Sequence, residues 1–165
     1  MRIVLTTPNF PPLNNGLGNA VANQAQILSS HGAHVVVCTG GDQRTSETSP
    51  QGYAVERFRV TGASWLGNPI RGNAAQYLTF LKVSEADLIL MNAWQTWSTD
   101  IPLQHLAELP GRKALYSHGL ATDIWISPQP LRSALRCALW RPYRWRLSSM
   151  LRSLDGLLLL AEAGC

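Results

Sequence analysis

The chain has 165 residues, of which 45% are hydrophobic and 15% are charged, so it is long enough for one domain with a core and too short for two. This composition excludes an intrinsically disordered chain. The net charge of +4 comes from residues 111–165, which carry eight Lys or Arg against three Asp or Glu, while residues 1–110 carry six against seven. Because the basic excess is confined to one segment, we expect no nucleic-acid-binding surface across the domain.

The three cysteines, Cys38, Cys137 and Cys165, show neither CxxC nor metal-ligand spacing, which favours reduced thiols. The N-terminus runs directly into the apolar residues Ile3–Leu5, without the pattern of a signal peptide. No apolar run approaches the ~20 residues needed to span a bilayer. We therefore expect a soluble, cytoplasmic protein.

The first elements in chain order are predicted to be a strand, a helix and a second strand. Ile3–Thr6 is a short apolar run that ends near prolines, which is typical of a buried strand followed by a rigid loop. Apolar residues at i, i+4 and i+7 within residues 21–28 then predict an amphipathic helix that begins near Gly18 and ends at Gly32. The run His34–Cys38 is apolar on both faces, which predicts a buried parallel strand.

The rest of the chain repeats this alternation. The further strands are predicted at Ala54–Val60 (edge-like), Asp87–Met91, Lys113–Ser117 and Gly156–Leu160, and the further helices up to Leu81, near Asp100–Glu108 and over Pro130–Leu154. Six short strands alternating with helices predict a Rossmann-like, doubly wound, mostly parallel sheet with helices on both faces. Ligands of such folds bind beyond the carboxyl ends of the strands, near the point where the strand order reverses.

The loop after the first strand contains two glycines, in the sequence Asn15-Gly16-Leu17-Gly18. Glycines at the start of a helix let a ligand approach the backbone, and the free N–H groups there attract a phosphate. The loop does not match the dinucleotide-binding pattern GxGxxG, since about ten residues separate it from the strand and the third glycine is missing. An anion site and a plain turn with a helix cap are both compatible with this sequence.

Asn92 and Trp94 follow the fourth predicted strand, and Trp97 lies three residues further on. Two Trp side chains at a strand end can stack on a sugar ring, but they can equally pack against a neighbouring helix. Both interpretations stay open at the level of the sequence.

His118 lies at the tip of the fifth predicted strand and is followed by Gly119, which permits a sharp turn. An imidazole in that position can donate or accept a hydrogen bond within the expected crevice. Asp123 and Trp125 follow in the same loop and can share the site. The alternative is a histidine that satisfies a buried carbonyl.

The basic segment combines arginines with aromatic residues: Arg132, Arg136, Arg141, Arg144, Arg146 and Arg152, with Trp140, Tyr143 and Trp145. Four-residue spacing places several of them on one helical face, although Pro142 is expected to kink or interrupt the helix. A basic face with aromatic residues is typical of peripheral contact with an anionic membrane. The alternative is a solvated helix whose Trp residues cover the sheet.

Taken in order, these motifs resemble the N-terminal domain of the retaining glycosyltransferases of family four, which have the GT-B architecture, and in particular the members that build polysaccharides. The matching segments are Pro11-Pro12, Asn15-Gly16-Leu17-Gly18, Gly32-Ala33-His34-Val35, His118-Gly119, Trp125 and the run from Asp155-Gly156 to Ala161-Glu162. The resemblance covers nearly the whole chain, in the right order and spacing.

The resemblance implies transfer of a sugar from a nucleoside-diphosphate sugar to a saccharide or lipid-linked acceptor, with no cofactor and no essential metal. It implies that Gly16, Leu17 and Gly18 approach the donor diphosphate and that His118 is catalytic. It assigns the acceptor side to four residues: Asn92, Trp94, Asp123 and Trp125. Asn15 stands where the family has a glycine, a change that suits a position of positive φ.

In that family the nucleotide-sugar pocket belongs to a second, C-terminal domain. We therefore expect residues 1–165 to be a single acceptor-side domain that lacks the donor-binding domain and is inactive alone. The alternative is a non-catalytic Rossmann-like module that binds an anionic ligand or a protein partner. A nucleotide-dependent oxidoreductase is disfavoured by the missing fingerprint and by the lack of an acidic residue at the second strand tip before Asp42.

Overall fold

The computed structural model of the chain describes residues 1–13, 15–63, 68–118 and 130–159, with only the backbone described at residues 130–132, 136 and 144. The elements in chain order are β1 (Arg2–Thr6), α1 (Gly16–Ser30), β2 (His34–Gly40), β3 (Thr45–Thr48), β4 (Ala54–Phe58), β5 (Val60–Thr61), β6 (Arg71–Gly72), α2 (Ala74–Lys82), β7 (Leu88–Asn92), α3 (Trp97–Leu103), a 3-10 turn (Leu106–Glu108), β8 (Arg112–Ser117), α4 (Pro130–Arg152) and β9 (Gly156–Leu159).

Seven strands form the main sheet, in the order β3-β4-β2-β1-β7-β8-β9. All neighbours are parallel except β3 and β4, which are antiparallel. Without β3, the six parallel strands have the order 3-2-1-4-5-6, which is that of the doubly wound Rossmann fold. The predicted fold class is confirmed, and the strand order reverses between β1 and β7.

The helices lie on both faces of this sheet. Ile3 and Leu5 of β1 point to one face and pack with Val21 and Ala25 of α1. Val4 points to the other face, where α2, α3 and α4 cover a second cluster. This alternation along β1 follows from the two-residue period of a strand.

Three strands were not predicted. Three of the four side chains of β3 are exposed, so its sequence carries no hydrophobic pattern, and it covers the edge of β4. Consequently the prediction of Ala54–Val60 as an edge strand is wrong. β4 ends at Phe58, because Val60 pairs instead with Gly72 in the small β5–β6 sheet. Gly72 is required there, since its φ is 95° and an added Cβ would collide with the Arg59 carbonyl.

Two predicted helices differ in detail. The helix near Asp100–Glu108 begins earlier, at Trp97, and is divided into α3 and the 3-10 turn Leu106–Glu108. Pro142 was expected to kink or interrupt the basic helix, and α4 continues through it without interruption. Trp140 of α4 is buried, as expected of a Trp that covers the sheet, whereas Trp145 is 69% exposed. Contact of this helix with a membrane stays a prediction.

A row of aromatic side chains connects the sheet to α3. Phe58 of β4 is fully buried and meets the Tyr77 ring edge-on, with 5.2 Å between the ring centroids. Tyr77 meets Trp97 in the same way at 5.0 Å, and its hydroxyl donates to the carbonyl oxygen of Ser98 at 2.7 Å. Burial raises the pKa of Tyr77 well above its ordinary value, so the hydroxyl keeps its proton. These contacts fix the start of α3 against the core.

Within the described part of the chain, no helix combines the length and the apolar character that crossing a bilayer requires.

Candidate functional site

A cleft of about 450 Å³ lies at the carboxyl ends of the strands, beside the point where the strand order reverses. Its wall comes from the segments that follow β1, β2, β4 and β7: Pro8, Asn9, Leu13, Gly40, Gly41, Asp42, Val60, Thr61, Gly62, Ala63, Asn68, Gln95, Thr96 and Trp97. The polar side chains of this wall are amides, hydroxyls and one carboxylate, and its described residues include no Lys or Arg. Such a wall suits a neutral ligand rich in hydroxyl groups better than an anion.

Gly40 shows why the loops meet so closely here. An added Cβ would lie 2.9 Å from the Pro8 carbonyl oxygen and 3.5 Å from the Trp97 ring. Only a glycine therefore lets the segments after β1, β2 and β7 converge on one point. Gly40 was not predicted as a site residue, although a Gly-Gly pair directly after a strand was a signal for it. Asn9, Asp42 and Gln95 were not predicted as parts of the wall either.

Asn15 is the N-cap of α1 rather than a residue of positive φ. Its φ is −143°, so this position does not need the positive φ that Asn tolerates in place of glycine. Its side-chain oxygen accepts a hydrogen bond from the Gly18 N–H at 2.7 Å. This bond satisfies one of the four N–H groups that a helix N-terminus leaves unpaired. The capping interpretation is thus confirmed, and contact of Gly16, Leu17 and Gly18 with a phosphate stays a prediction.

The two glycines of this turn differ in their surroundings. An added Cβ at Gly18 would lie 3.2 Å from the Asn9 carbonyl oxygen, 3.2 Å from Asn15 Oδ1 and 3.3 Å from Phe10 Cα. No atom of the described residues lies within 4 Å of the corresponding position at Gly16. Gly18 is therefore needed to pack the loop against the helix, while the space beside Gly16 is open to a ligand.

We expect Gly18→Ala to lower the free energy of unfolding by about 1–2 kcal/mol, because the loop backbone must move to admit the methyl group. Gly16→Ala is the matched control, and it should change stability by less than about 0.5 kcal/mol. Urea denaturation of both variants measures the difference. Equal losses in the two variants would contradict the packing role of Gly18.

His118 directly follows β8, and its ring meets the Tyr116 ring edge-on at 4.8 Å. Its Nε2 is buried, and no described residue offers it a hydrogen-bond partner. Burial lowers the pKa of His118 from its ordinary value of 6.5. The imidazole is therefore neutral at pH 7.

Asn92 and Trp94 lie at the end of β7, but they are not in the cleft wall. Asn92 is fully buried, and its Oδ1 has no hydrogen-bond partner among the described residues. Trp94 is 6% exposed and belongs to the core, and its indole N–H donates to Ser117 Oγ at 2.7 Å. The ring thus packs the core as one of the two interpretations expects, and an acceptor role for it stays a prediction.

The backbone beside Trp94 is strained. Ala93 and Gln95 have φ values of 71° and 60°, in the left-handed region that disfavours residues other than glycine. The Ala93 N–H donates to the Tyr116 carbonyl oxygen at 3.1 Å, and the Gln95 N–H donates to Tyr143 Oη at 3.4 Å. Such strain tends to occur at functional sites, and here it lies at the reversal of the strand order.

We expect Ala93→Gly to raise the free energy of unfolding by about 1 kcal/mol, because glycine adopts a positive φ without steric cost. Ala75, which is exposed on α2, supplies the opposite control. Ala75→Gly should lower stability by about 1 kcal/mol, since glycine is unfavourable inside a helix. Thermal or urea unfolding of both variants would test the assignment, and a loss in Ala93→Gly would contradict it.

Gly16, Leu17, Gly18, Asn92, Trp94 and His118 thus lie beside the cleft-forming loops rather than in the wall itself. Asp123 and Trp125 lie outside the described residues. Within the described segments, no group of three or more His, Cys, Asp or Glu side chains is arranged to hold a metal ion.

No protein-family model matches the sequence, and no curated protein matches it. Solved structures of glycosyltransferases do match the fold. A sucrose-phosphate synthase from Thermosynechococcus elongatus is similar with a TM-score of 0.59 at 14% identity, over 96% of this chain and 47% of that one. Another structure of the same enzyme gives 0.56 at 15% identity, over 98% of this chain and 77% of that one.

An alpha-glucosyltransferase in complex with UDP and a 13-mer DNA is similar with a TM-score of 0.52 at 17% identity, over 100% of this chain and 38% of that one. The chain therefore spans about half or less of the length of two of these three structures. At such identities the similarity shows only the fold, which is Rossmann-like. Membership of family four stays a prediction.

Proposed function

We propose that the chain is the N-terminal, acceptor-binding domain of a retaining GT-B glycosyltransferase, which transfers a sugar from a nucleoside-diphosphate sugar to a saccharide or lipid-linked acceptor. The observation that carries this proposal is the cleft at the reversal of the strand order. Its wall offers amide, hydroxyl and carboxylate groups, which are groups that bind sugar hydroxyls. The absence of Lys and Arg from the described wall disfavours the alternative of a module for an anionic ligand.

The donor diphosphate is assigned to the N-terminus of α1, where the dipole of a helix of 15 residues favours negative charge. Gly18 N–H is already bonded to Asn15, so the N–H groups of Gly16 and Leu17 are the proposed donors to the phosphate. The open space beside Gly16 admits this approach. A second, C-terminal domain is proposed to supply the remaining groups that bind the nucleotide.

His118 is proposed to orient the transferred sugar or the acceptor hydroxyl through its neutral imidazole. A neutral ring carries one donor and one acceptor nitrogen, so it can bond a hydroxyl without adding charge to the site. Asn92, whose buried Oδ1 has no hydrogen-bond partner within the described part of the chain, is proposed to support the acceptor side together with Trp94, Asp123 and Trp125. The protein is proposed to work in the cytoplasm, in peripheral contact with an anionic membrane.

The proposal is tested by NMR titration of the chain labelled with ¹⁵N-glycine. Saccharides should shift the signals of Gly40, Gly41 and Gly62 in the cleft wall. Nucleoside-diphosphate sugars should shift that of Gly16.

Sugar transfer should appear only when the donor-binding domain is supplied. Tight NAD binding by the chain alone, without a response to sugars, would overturn the proposal in favour of an oxidoreductase, and binding without transfer by the completed pair would favour a binding module.

Transfer should lose activity in acid. The lowered pKa of His118 means that protonation occurs below 6.5, so the rate should stay level above that pH and fall below it. The same shift makes the folded chain bind fewer protons than the unfolded chain, and stability should therefore fall over the same acidic range. A profile of kcat/KM between about pH 5 and 8 measures the fall in rate. The His118→Gln variant should show no such fall at low pH. If kcat/KM of the His118→Gln variant still falls in acid, a group other than His118 causes the fall.

A further inference from the structure

A second cavity, of about 650 Å³, lies between α3, α4 and the residues around Ile70. Its wall is largely apolar, with Pro69 and Ile70 on one side and Leu139, Pro142 and Met150 of α4 on the other. One face of α4 lines the cavity along its length. Its side chains there have the spacing of a single helical face: Leu139, Tyr143, Arg146 and Met150. Such a wall binds hydrocarbon by removing it from water.

The polar groups of the cavity floor already bond to one another. Tyr143 Oη donates to Asp100 Oδ1 at 3.1 Å, in a buried contact between α4 and α3. Gln104 Nε2 donates to the Asp100 carbonyl oxygen at 3.0 Å. Burial, and secondly the negative charge of Asp100, raise the pKa of Tyr143, so this hydroxyl stays protonated as a donor. A hydrocarbon can contact this floor without taking away these hydrogen bonds.

The opening of the cavity is basic. Arg146 is exposed and lines the cavity, so it lies where the cavity meets solvent. The sequence of α4 contains six arginines and no Asp or Glu. Leu135, Arg141 and Trp145 of the same helix are exposed but do not line the cavity. A cationic side chain at the opening of an apolar cavity favours an anionic, amphiphilic ligand.

The cavity also adjoins the cleft of the candidate site. Ala63 lines both spaces, and Pro69 of the cavity follows Asn68 of the cleft. Tyr143 of the cavity floor accepts a hydrogen bond from the Gln95 N–H, and Gln95 lines the cleft. One extended ligand can therefore reach from the polar cleft into the apolar cavity.

We propose that this cavity binds the hydrocarbon chain of a phosphorylated lipid, with Arg146 beside the phosphate. The inference rests on the proposed function only where the lipid is taken to be the acceptor of the sugar. Binding of the lipid itself requires neither a donor nor a second domain. It can therefore be tested on the chain alone.

The three methionines provide the measurement. Met150 lines the cavity, Met91 is fully buried in the core, and Met1 lines a different pocket at the opposite end of the strands. With ¹³C-methyl methionine labelling, octyl phosphate should shift the Met150 signal and leave those of Met1 and Met91 unchanged. It should bind at least tenfold tighter than butyl phosphate, since each buried methylene contributes about threefold to fourfold in affinity. Inorganic phosphate should leave the Met150 signal unchanged.

Two matched pairs of variants test separately what the apolar wall and the charge of Arg146 contribute to binding. Leu139→Trp fills the cavity and should abolish the Met150 shift, whereas Leu135→Trp on the exposed side of α4 should retain it. Arg146→Gln should weaken the binding of octyl phosphate by about tenfold and leave the binding of octanol unchanged. Arg141→Gln should change the binding of neither ligand. Circular dichroism checks each fold, and Ile70→Trp fills the cavity from the other wall if Leu139→Trp does not fold.

A shift of Met1 in place of Met150, or equal binding by the Leu139→Trp and Leu135→Trp variants, would overturn the inference. So would binding of inorganic phosphate as tightly as octyl phosphate. Sugar transfer to a saccharide without any lipid binding would contradict this inference and leave the proposed function intact. Lipid binding without transfer by the completed enzyme would count against the proposed function alone.

Discussion

His118→Ala should reduce sugar transfer by about 10²–10³-fold, which is the size of effect seen when one positioned hydrogen-bonding group is removed from an active site. The side chain lies at the end of β8 with a buried, unpaired Nε2, and it carries no bond among the described residues on which β8 depends. The loss should therefore appear in kcat rather than in folding. Steady-state kinetics of the domain with its donor-binding partner measure it.

His105 is the matched control. It lies just before the 3-10 turn and pairs with Glu108, whose pKa is lowered by bonds first from Lys82 and then from His105. His105→Ala should leave the transfer rate unchanged. A His118→Ala enzyme that keeps more than about a tenth of the wild-type rate would remove His118 from the catalytic machinery.

Phe58→Ala should lower the free energy of unfolding by about 3–5 kcal/mol, the usual cost of emptying a large aromatic site in a core. The ring is 0% exposed, and it contacts Tyr77, Phe80 and the guanidinium of Arg44, which lies 4.3 Å from its centre. Its loss also loosens the aromatic row that fixes the start of α3. Urea denaturation followed by tryptophan fluorescence measures the change.

Phe80→Ala is the control for this experiment, because the Phe80 ring touches the Phe58 ring at 5.4 Å but is only partly buried. Phe80→Ala should lower the free energy of unfolding clearly less than Phe58→Ala does. Equal losses would show that the cost comes from the aromatic pair rather than from the buried cavity.

The central strands of the parallel sheet could be predicted because they are buried on both faces and therefore read as apolar runs, as His34–Cys38 does. The edge strand β9 also reads as an apolar run, although Leu157–Leu159 are exposed in the structure. β3 could not be predicted, since an exposed edge strand such as Thr45–Thr48 is polar and is held by its backbone bonds to β4. The sequence predicted a doubly wound sheet but not which strands are neighbours, because strand pairing depends on contacts between residues far apart in the chain.

The candidate site was less predictable, because it depends on contacts between distant parts of the chain. The role of Asn15 as a cap was compatible with its sequence, but its φ was not evident from the neighbouring glycines. The left-handed conformations of Ala93 and Gln95 had no signal, since glycine is the usual indicator of such positions. Tyr143 and Asp100 are 43 residues apart, and only the folded helices bring them together.

The position of β1 at the centre of the sheet also determines when the domain can form. Arg2 at the start of this strand bonds to Asp87, which is 85 residues away along the chain. At a synthesis rate of about 5–20 residues per second, the first strand made therefore waits several seconds for its partner β7. Until then its apolar side chains are covered only by the α1–β2 unit, and the β7 side of the strand has an unpaired edge. Among the neighbouring strands of this sheet, β1 and β7 are thus the pair separated by the most residues, and they meet at the reversal of the strand order, beside the candidate site.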